Sequence, residues 1–203
     1  MKSNGMSAEP ASKLPCTIVL VGLMGAGKTC MGRKLAGSLS VPFVDADSEI
    51  EAAAACSIED IFAQHGEAEF RAGERRVIAR LLRQPPHVLA TGGGAFMDPQ
   101  TRKTIRNKAI SIWIRADLDL LLKRTSRRDN RPLLKQGDPR QILSALIERR
   151  YPVYAEADIV VDSVDGPPDL TLAKLSKALD SYLAARYGAE TTAGVREAES
   201  AAQ

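Results

Sequence analysis

The 203-residue sequence predicts an α/β fold of three layers, in which a doubly wound, five-stranded parallel sheet lies between helices. Two observations predict this fold. Short, nearly all-apolar segments alternate with segments of helical periodicity, a pattern typical of parallel strands that are covered on both faces. In addition, the first strand runs through a glycine-rich loop into a helix, as in phosphate-binding folds. We therefore expect one domain, with its ligands at the carboxyl edge of the sheet.

The first strand, at residues 16–21, leads into the sequence GLMGAGKT at residues 22–29, which has the spacing of a phosphate-binding loop (P-loop). Glycines let the backbone approach a phosphate closely, and the N-terminus of the following helix adds its positive dipole end. Lys28 is placed to reach the β- and γ-phosphates, and the Thr29 hydroxyl to ligate Mg²⁺. A chance glycine-rich turn is the alternative, and the flanking strand and helix favour the functional interpretation.

Apolar runs, helical periodicity and capping residues predict the later strands and helices. Ser57, for example, is a predicted N-cap, with Asp60 three residues after it. Residues 188–203 carry almost no large apolar side chain and residues 1–14 have no long apolar run, so both are expected to be disordered extensions of a domain at 15–187. The remaining strands are predicted at 42–45, 87–91, 109–114 and 157–162, and helices at 57–65, 67–83, 98–106, 117–124, from 139 to Arg149 and Arg150, and at 169–187.

Polar residues and glycines follow the second and third strands, at the edge where the P-loop lies. Asp45 and Asp47 end the second strand two residues apart, and in extended backbone they would point to the same face. One carboxylate could hold Mg²⁺ while the other accepts a proton from a hydroxyl nucleophile. Helix capping is the alternative for Asp47. Gly92–Gly94 follows the third strand and offers backbone N–H groups to an anion or hydroxyl.

Arginines form the other candidate group. Arg124, Arg127, Arg128 and Arg131 lie in or beside a segment interrupted by proline and glycine, which we interpret as a mobile lid at about 125–139. Such arginines can neutralise charge on a phosphoryl group in transfer, and a solvated basic face is the alternative. Arg149 and Arg150 end a predicted helix, where the helix dipole favours cations.

Composition excludes several other classes of protein. Three cysteines without metal-ligand spacing argue against zinc and a disulfide framework, and fit a cytoplasmic protein. Cys16 and Cys30 are expected to pack as small apolar groups, and Trp113 as core. The net charge of +3 is too small to indicate nucleic-acid binding, and no apolar run approaches the length of a membrane span. We expect a monomer without nucleic-acid or membrane partners.

Six motifs in this order resemble the shikimate kinase family, over about residues 16–185. They are GLMGAGKT, DAD at 45–47, GEAEFR ending at Arg71, TGGGA around Gly92–Gly94, NRPLL containing Arg131, and RRYPVY containing Arg150. The resemblance implies a P-loop fold of the nucleoside monophosphate kinase type. It also implies transfer of the γ-phosphoryl group of ATP to the 3-hydroxyl of shikimate, with Mg²⁺ as the cofactor and ATP and shikimate as the partners.

The same resemblance implies a role for each matching residue. Lys28, Asp47 and Arg131 would be catalytic, and Thr29 and Asp45 would hold the metal, Asp45 through water. The implied ATP-binding residues are Gly25, Ala26, Gly27, Lys28, Thr29, Cys30, Arg124 and Arg131. The implied shikimate-binding residues are Asp47, Arg71, Gly92, Gly93, Gly94 and Arg150, with Arg71 and Arg150 on the carboxylate.

Three other functions are consistent with part of the sequence. A gluconate or nucleotide kinase of the same fold is the nearest, although paired arginines suit a small anion better than a base. A P-loop switch or regulatory ATP-binding module is disfavoured because the guanine-reading and switch motifs of GTPases are absent from the sequence. A nucleic-acid binder would rest on the arginines at 124–131, a stretch that contains no aromatic residue.

Overall fold

A computed structural model describes residues 14–126 and 137–200 of this chain, with residues 189–200 described by their backbone alone. Its centre is a five-stranded sheet in the order β2-β3-β1-β4-β5, in which every neighbouring pair is parallel. This confirms the predicted sheet. The strands are β1 (Thr17–Val21), β2 (Phe43–Asp45), β3 (Val88–Ala90), β4 (Ala109–Arg115) and β5 (Ile159–Asp162).

Helices cover both faces of the sheet, so β1, β3 and all but the last residue of β4 are buried. The first and last helices pack on one another, and the fourth packs on β4 and on the third. The helices are α1 (Lys28–Leu39), α2 (Ala46–Ala54), α3 (Ile58–Leu81), α4 (Pro99–Lys108), α5 (Leu118–Thr125), α6 (Pro139–Tyr154) and α7 (Pro168–Ser200), and a 3₁₀ turn spans Ala95–Met97.

The two helices predicted on either side of Gly66 form one bent element, α3. Ser57 is its N-cap and makes the reciprocal capping box with Asp60, as the spacing indicated. Gly66 has φ 75° and ψ 176°, a left-handed backbone conformation that interrupts the helix and is accessible to glycine. The bend gives the two halves of α3 different directions.

The prediction that a helix ends at Arg149 and Arg150 is wrong, because α6 continues through Pro152 to Tyr154. A proline in the last turn of a helix removes only one backbone hydrogen bond, and burial of Tyr154 against the core favours the continuation. Arg150 is consequently a buried residue inside the helix, 9% exposed, and the helix dipole is not the reason for its presence.

The ends of the folded part also differ from the prediction. Leu14, assigned to the N-terminal extension, is 5% exposed and belongs to the core, because an apolar side chain directly before β1 can be buried. The last helix reaches Ser200 rather than Tyr187. Alanine and glutamate favour helix, and no proline interrupts the segment after Tyr187. None of the helices in the described ranges has the length and apolar character that crossing a membrane requires.

Candidate active site

The P-loop connects the central strand β1 to the N-terminus of α1. Gly25 and Gly27 have φ 81° and 102°, so both occupy backbone conformations that suit glycine. Lys28 turns back over the loop, and its Nζ donates to the carbonyl oxygens of Gly22 (2.9 Å) and Leu23 (3.1 Å). The loop therefore has the shape of an anion cradle, and the lysine ammonium group lies at its mouth.

Thr29 and Asp45 lie side by side at the edge of this loop. Thr29 Oγ1 donates to Asp45 Oδ2 at 3.1 Å, across the gap between α1 and the end of β2. Hydroxyl and carboxylate oxygens are ligands that Mg²⁺ prefers. Within residues 14–126 and 137–188, no cluster of three or more His, Cys, Asp or Glu side chains could hold a metal by itself. The pair fits an ion that arrives with nucleotide phosphates.

Asp47 is placed differently from the prediction. It does not continue the extended strand but lies in the first turn of α2, and the capping role belongs to Asp45, whose Oδ1 accepts from Asp47 N at 3.1 Å. The helix begins here because Ala46 and Ile50, four residues apart, both face the core. Asp45 and Asp47 are thus separated into two environments.

Burial raises the pKa of Asp47, and the charge of Asp45 raises it further, while Lys28 and Arg71 lower it less. Asp47 Oδ1 lies against Gly92, where a Cβ would come within 2.8 Å of it. A carboxylate with a raised pKa beside a lysine is a suitable acceptor for a proton.

The turn after β3, at Gly92–Gly94, collects side chains from three other elements. A Cβ at Gly94 would lie 2.5 Å from Arg71 Nη1, so the arginine approaches the bare backbone. On the other side of the turn, Arg150 Nη1 donates to the Gly93 carbonyl oxygen at 2.8 Å. The structure thus brings Asp47, Arg71 and Arg150 to one short backbone segment.

Sequence reasoning missed Glu74. This carboxylate is 2% exposed, and its Oε2 accepts from Arg71 Nη1 at 2.7 Å. Burial raises the pKa of Glu74, although Arg71 opposes the shift, and Oε1 has no hydrogen-bond partner among the described residues. Its position three residues after Arg71, on the buried face of α3, was the signal that could have identified it. Glu67 and the Phe70 ring also contact the Arg71 guanidinium.

Arg124 links the P-loop to the segment after β5. Its Nη1 donates to Ser163 Oγ at 2.8 Å and to the Ala26 carbonyl oxygen at 3.2 Å, and its Nη2 to the Val164 carbonyl oxygen at 2.8 Å.

The prediction that Cys30 packs as a small apolar group is wrong, because Cys30 is exposed on the first turn of α1 and lines the cleft. Cys16 is half-buried at the edge of the core.

A cleft of about 460 Å³ extends from the P-loop to the start of the glycine turn. It runs from the P-loop past Asp45 and Asp47 to Gly92 and Gly93, and its other wall is formed by Arg124 and the residues after β5. Arg127, Arg128, Arg131 and most of the predicted lid lie outside the described residues. The P-loop and the glycine turn, with its two arginines, thus adjoin along one cleft.

Comparisons with known proteins agree with this geometry. A model of the shikimate kinase family matches residues 24–180. The shikimate kinase of Paramagnetospirillum magneticum is 64% identical over 186 residues, which cover 88% of this chain and 95% of the relative. This chain belongs to the shikimate kinase family. The shikimate kinase of Caulobacter vibrioides is 57% identical over 163 residues, 80% of this chain and 82% of its own.

Solved structures show the same fold. A shikimate kinase from Acinetobacter baumannii in complex with shikimate matches with a TM-score of 0.78 and 38% identity, over 84% of this chain and 96% of its own. A gluconokinase from Sinorhizobium meliloti matches with a TM-score of 0.55 and 21% identity, over 83% and 97%, which is a likeness of fold alone. The predicted fold and family are confirmed, and the chain is a shikimate kinase, an ATP-dependent phosphotransferase of aromatic amino acid biosynthesis.

Proposed function

We propose that this chain transfers the γ-phosphoryl group of ATP to the 3-hydroxyl of shikimate, with the acceptor bound at the Gly92–Gly94 turn and ATP at the P-loop. One observation carries the proposal. Asp47, Arg71 and Arg150 all meet the turn, and the turn lies along the same cleft as Lys28 and Thr29. A polyol with a single carboxylate needs this combination of a hydroxyl acceptor and cations.

On the nucleotide side, the backbone of Gly25, Ala26, Gly27 and Cys30 would bind the phosphates with Lys28 and Thr29. Lys28 would exchange its two P-loop carbonyl partners for phosphate oxygens. Arg124 would lie along the adenine, where its bonds to Ser163 and Val164 already fix one wall of the cleft. We assign Arg131 to the lid on the family resemblance.

Mg²⁺ is the cofactor that fits the Thr29 and Asp45 pair. Their two oxygens are 3.1 Å apart and both are hard ligands, so they would complete the shell of an ion held chiefly by phosphates and water. When bound, Mg²⁺ supplies positive charge that stabilises the negative charge on the β-phosphate of the leaving ADP.

On the acceptor side, Arg71 and Arg150 would hold the shikimate carboxylate, and Asp47 would accept a hydrogen bond from the reacting hydroxyl. The hydroxyl oxygen then forms a bond to the γ-phosphorus while the bond from that phosphorus to the bridging oxygen of ADP breaks. The hydroxyl proton passes to Asp47. Positioning and charge neutralisation provide most of the rate enhancement in such reactions.

The acceptor is tested by measuring ADP release from the purified full-length chain with shikimate, gluconate or nucleoside monophosphates. We expect turnover with shikimate alone, because only this acceptor combines a ring hydroxyl with a carboxylate for two arginines. Turnover with gluconate and none with shikimate would overturn the proposal.

Arg71→Ala tests the carboxylate site. We expect KM for shikimate to rise by about 10²-fold, because a charge-assisted bidentate contact of roughly 1.5–3 kcal/mol is lost and Glu74 is left buried without its partner. KM for ATP should stay within about twofold. Arg75→Ala is the matched control, since Arg75 lies on the same helix as Arg71 but pairs with Asp98, the N-cap of α4, at 2.8 Å. An unchanged KM for shikimate in Arg71→Ala would show that the carboxylate binds elsewhere.

Further features concern the environment of the enzyme. The three cysteines are free thiols, which fits a reducing compartment, and we place the enzyme in the cytoplasm.

The large apolar side chains exposed in the described segments are Phe62, Val160 and Leu170, on three different elements. Scattered apolar residues of this kind do not make an interface, so we expect a monomer, which light scattering during gel filtration would test.

A further inference from the structure

Tyr154 lies beneath the proposed acceptor site, at the end of α6. Its side chain is fully buried, and its hydroxyl donates to the Gly93 carbonyl oxygen. The ring packs against Phe96 and Trp113, with centroids 6.4 Å and 5.9 Å away. A buried tyrosine requires a hydrogen-bond partner, but nothing in its packing requires that partner to be the glycine turn.

The Gly93 carbonyl accepts two hydrogen bonds from α6, one from Arg150 Nη1 at 2.8 Å and one from Tyr154. A carbonyl oxygen has two lone pairs, so its capacity is filled. The peptide bonds of the described chain are all trans, and in a trans peptide the C=O and the N–H point in opposite directions. The Gly94 N–H is therefore directed away from α6. The two hydrogen bonds to the Gly93 carbonyl also polarise the peptide group, which makes the Gly94 N–H a stronger hydrogen-bond donor.

Tyr154 is linked to Arg150, one helical turn before it, through the carbonyl oxygen to which both donate. The Tyr154 hydroxyl and Arg150 Nη1 share the Gly93 carbonyl oxygen as their acceptor, and burial raises the pKa of Tyr154 more than the charge of Arg150 lowers it. The hydroxyl is thus protonated at neutral pH. Arg150 Nε is buried without a hydrogen-bond partner among the described residues, so this donor of the guanidinium is unsatisfied.

We infer that Tyr154 is a positioning residue of the acceptor site: its hydroxyl fixes the Gly93–Gly94 peptide and the Arg150 guanidinium in the orientation that binds the substrate carboxylate. This inference rests on the proposed acceptor site. Tyr154 touches neither the P-loop nor the proposed metal ligands in the contacts described above, so its effect belongs to acceptor binding and not to ATP binding.

Tyr154→Phe in the full-length enzyme tests the inference, because phenylalanine preserves the ring packing and removes the hydroxyl. We expect KM for shikimate to rise about 3- to 10-fold, because the variant loses one intramolecular hydrogen bond and a change of this size corresponds to its usual contribution. The values of kcat and KM for ATP should each stay within about twofold. A shikimate KM equal to that of the wild type would overturn the inference, as would an equal rise in both KM values.

Tyr151→Phe is the matched control. Tyr151 lies one turn earlier, stacks edge-on against Trp113 at 4.8 Å, and donates to the carbonyl oxygen of Ala116 instead of the turn. It loses the same atom in the same aromatic cluster, so we expect no change in the KM for shikimate. An increase like that of Tyr154→Phe would show that the effect comes from the cluster and would overturn the inference.

Arg150→Ala separates this inference from the proposed site. If Arg150→Ala leaves the KM for shikimate unchanged, the acceptor site itself is misplaced and the role of Tyr154 is overturned with it. If Arg150→Ala raises that KM and Tyr154→Phe does not, only the role of Tyr154 is overturned. Because Tyr154 acts partly through Arg150, we expect Tyr154→Phe to have a smaller effect in the Arg150→Ala background, a non-additivity that a double-mutant cycle measures.

Discussion

At Asp47 the fold places a carboxylate against the Gly92 backbone and next to a second carboxylate, Asp45. Burial and the charge of Asp45 raise the pKa of Asp47, which means that the folded protein binds the proton more tightly than the unfolded chain does. The ionised form of Asp47 therefore lowers the stability of the fold, and it is the form that the proposed role as proton acceptor requires. Residues of functional sites often lower the free energy of unfolding in this way.

Asp47→Asn is expected to lower kcat by about 10²-fold or more while raising the melting temperature. The stability cost of ionised Asp47 grows as the pH rises from the ordinary aspartate pKa through the raised one, and is complete above it. The stabilisation should therefore be larger at pH 8 than at pH 4. Thermal melts at both pH values and steady-state kinetics check this, with Asp180→Asn, an exposed residue of α7, as the control. A nearly normal kcat would leave Asp47 with no catalytic role.

Cys30 offers a second test at the scale of one residue. Its thiol is exposed and lines the nucleotide side of the cleft. Alkylation with a maleimide is expected to lower activity at least about tenfold, and MgADP should slow the reaction because it covers the same wall. Cys30→Ser, which keeps the backbone N–H, should lose the sensitivity. Equal inactivation of Cys30→Ser would indicate that Cys16 or Cys56 is the reacting thiol.

At the scale of elements, α1 shows how a helix both supports the P-loop and packs on the sheet. Gly32 faces the sheet, where a Cβ would overlap the Phe43 ring and come within 3.2 Å of Leu20. Gly37, on the same helix, has nothing within 4 Å of that position. One glycine is needed for close approach of α1 to β1 and β2, and the other is not.

The two glycines of α1 predict opposite changes in stability. Gly32→Ala should destabilise the fold by about 1–3 kcal/mol through overpacking. Gly37→Ala should stabilise it by about 0.5 kcal/mol, because alanine loses less backbone entropy in a helix than glycine does. Urea unfolding followed by circular dichroism measures both. Destabilisation by Gly37→Ala as large as that by Gly32→Ala would contradict the packing argument.

At the scale of the whole molecule, the sheet order puts β1 between β3 and β4, so three functional segments meet at one edge. The P-loop follows β1, the glycine turn follows β3, and Asp45 ends β2. The lining of the cleft therefore comes from segments separated by many residues in sequence. Among the residues that the structure describes, the core that holds them includes Leu14, directly before β1.

Truncation tests where the folded unit begins. Deletion of residues 1–13 is expected to leave the melting temperature and kcat unchanged, since we predict that these residues are an extension of the domain, whereas Leu14 is buried. Leu14→Ala in the full chain should cost about 2–3 kcal/mol, the lower part of the range for a buried leucine. A large loss of stability on deleting residues 1–13 would show that the extension belongs to the fold.

The sequence by itself determined the sheet, the P-loop and the family, because these depend on local signals: apolar runs, glycine spacing and motif order. It also predicted that Arg71, Arg150 and the Gly92 turn belong to one site, and the structure brings these residues together. It misjudged Asp47 and the end of α6, because burial of Ala46, Ile50 and Tyr154 decided where those helices begin and end.

Only the tertiary structure decided which groups support the site. Glu74 behind Arg71, and Tyr154 beneath Gly93, are ordinary residues in the sequence, and their hydrogen bonds span elements that meet only on folding. The raised pKa of Asp47 likewise results from burial and from the nearness of Asp45, Lys28 and Arg71 in space. Electrostatic and hydrogen-bonding environments depend on distances that the order of residues does not specify, whereas secondary structure depends on periodicity that it does.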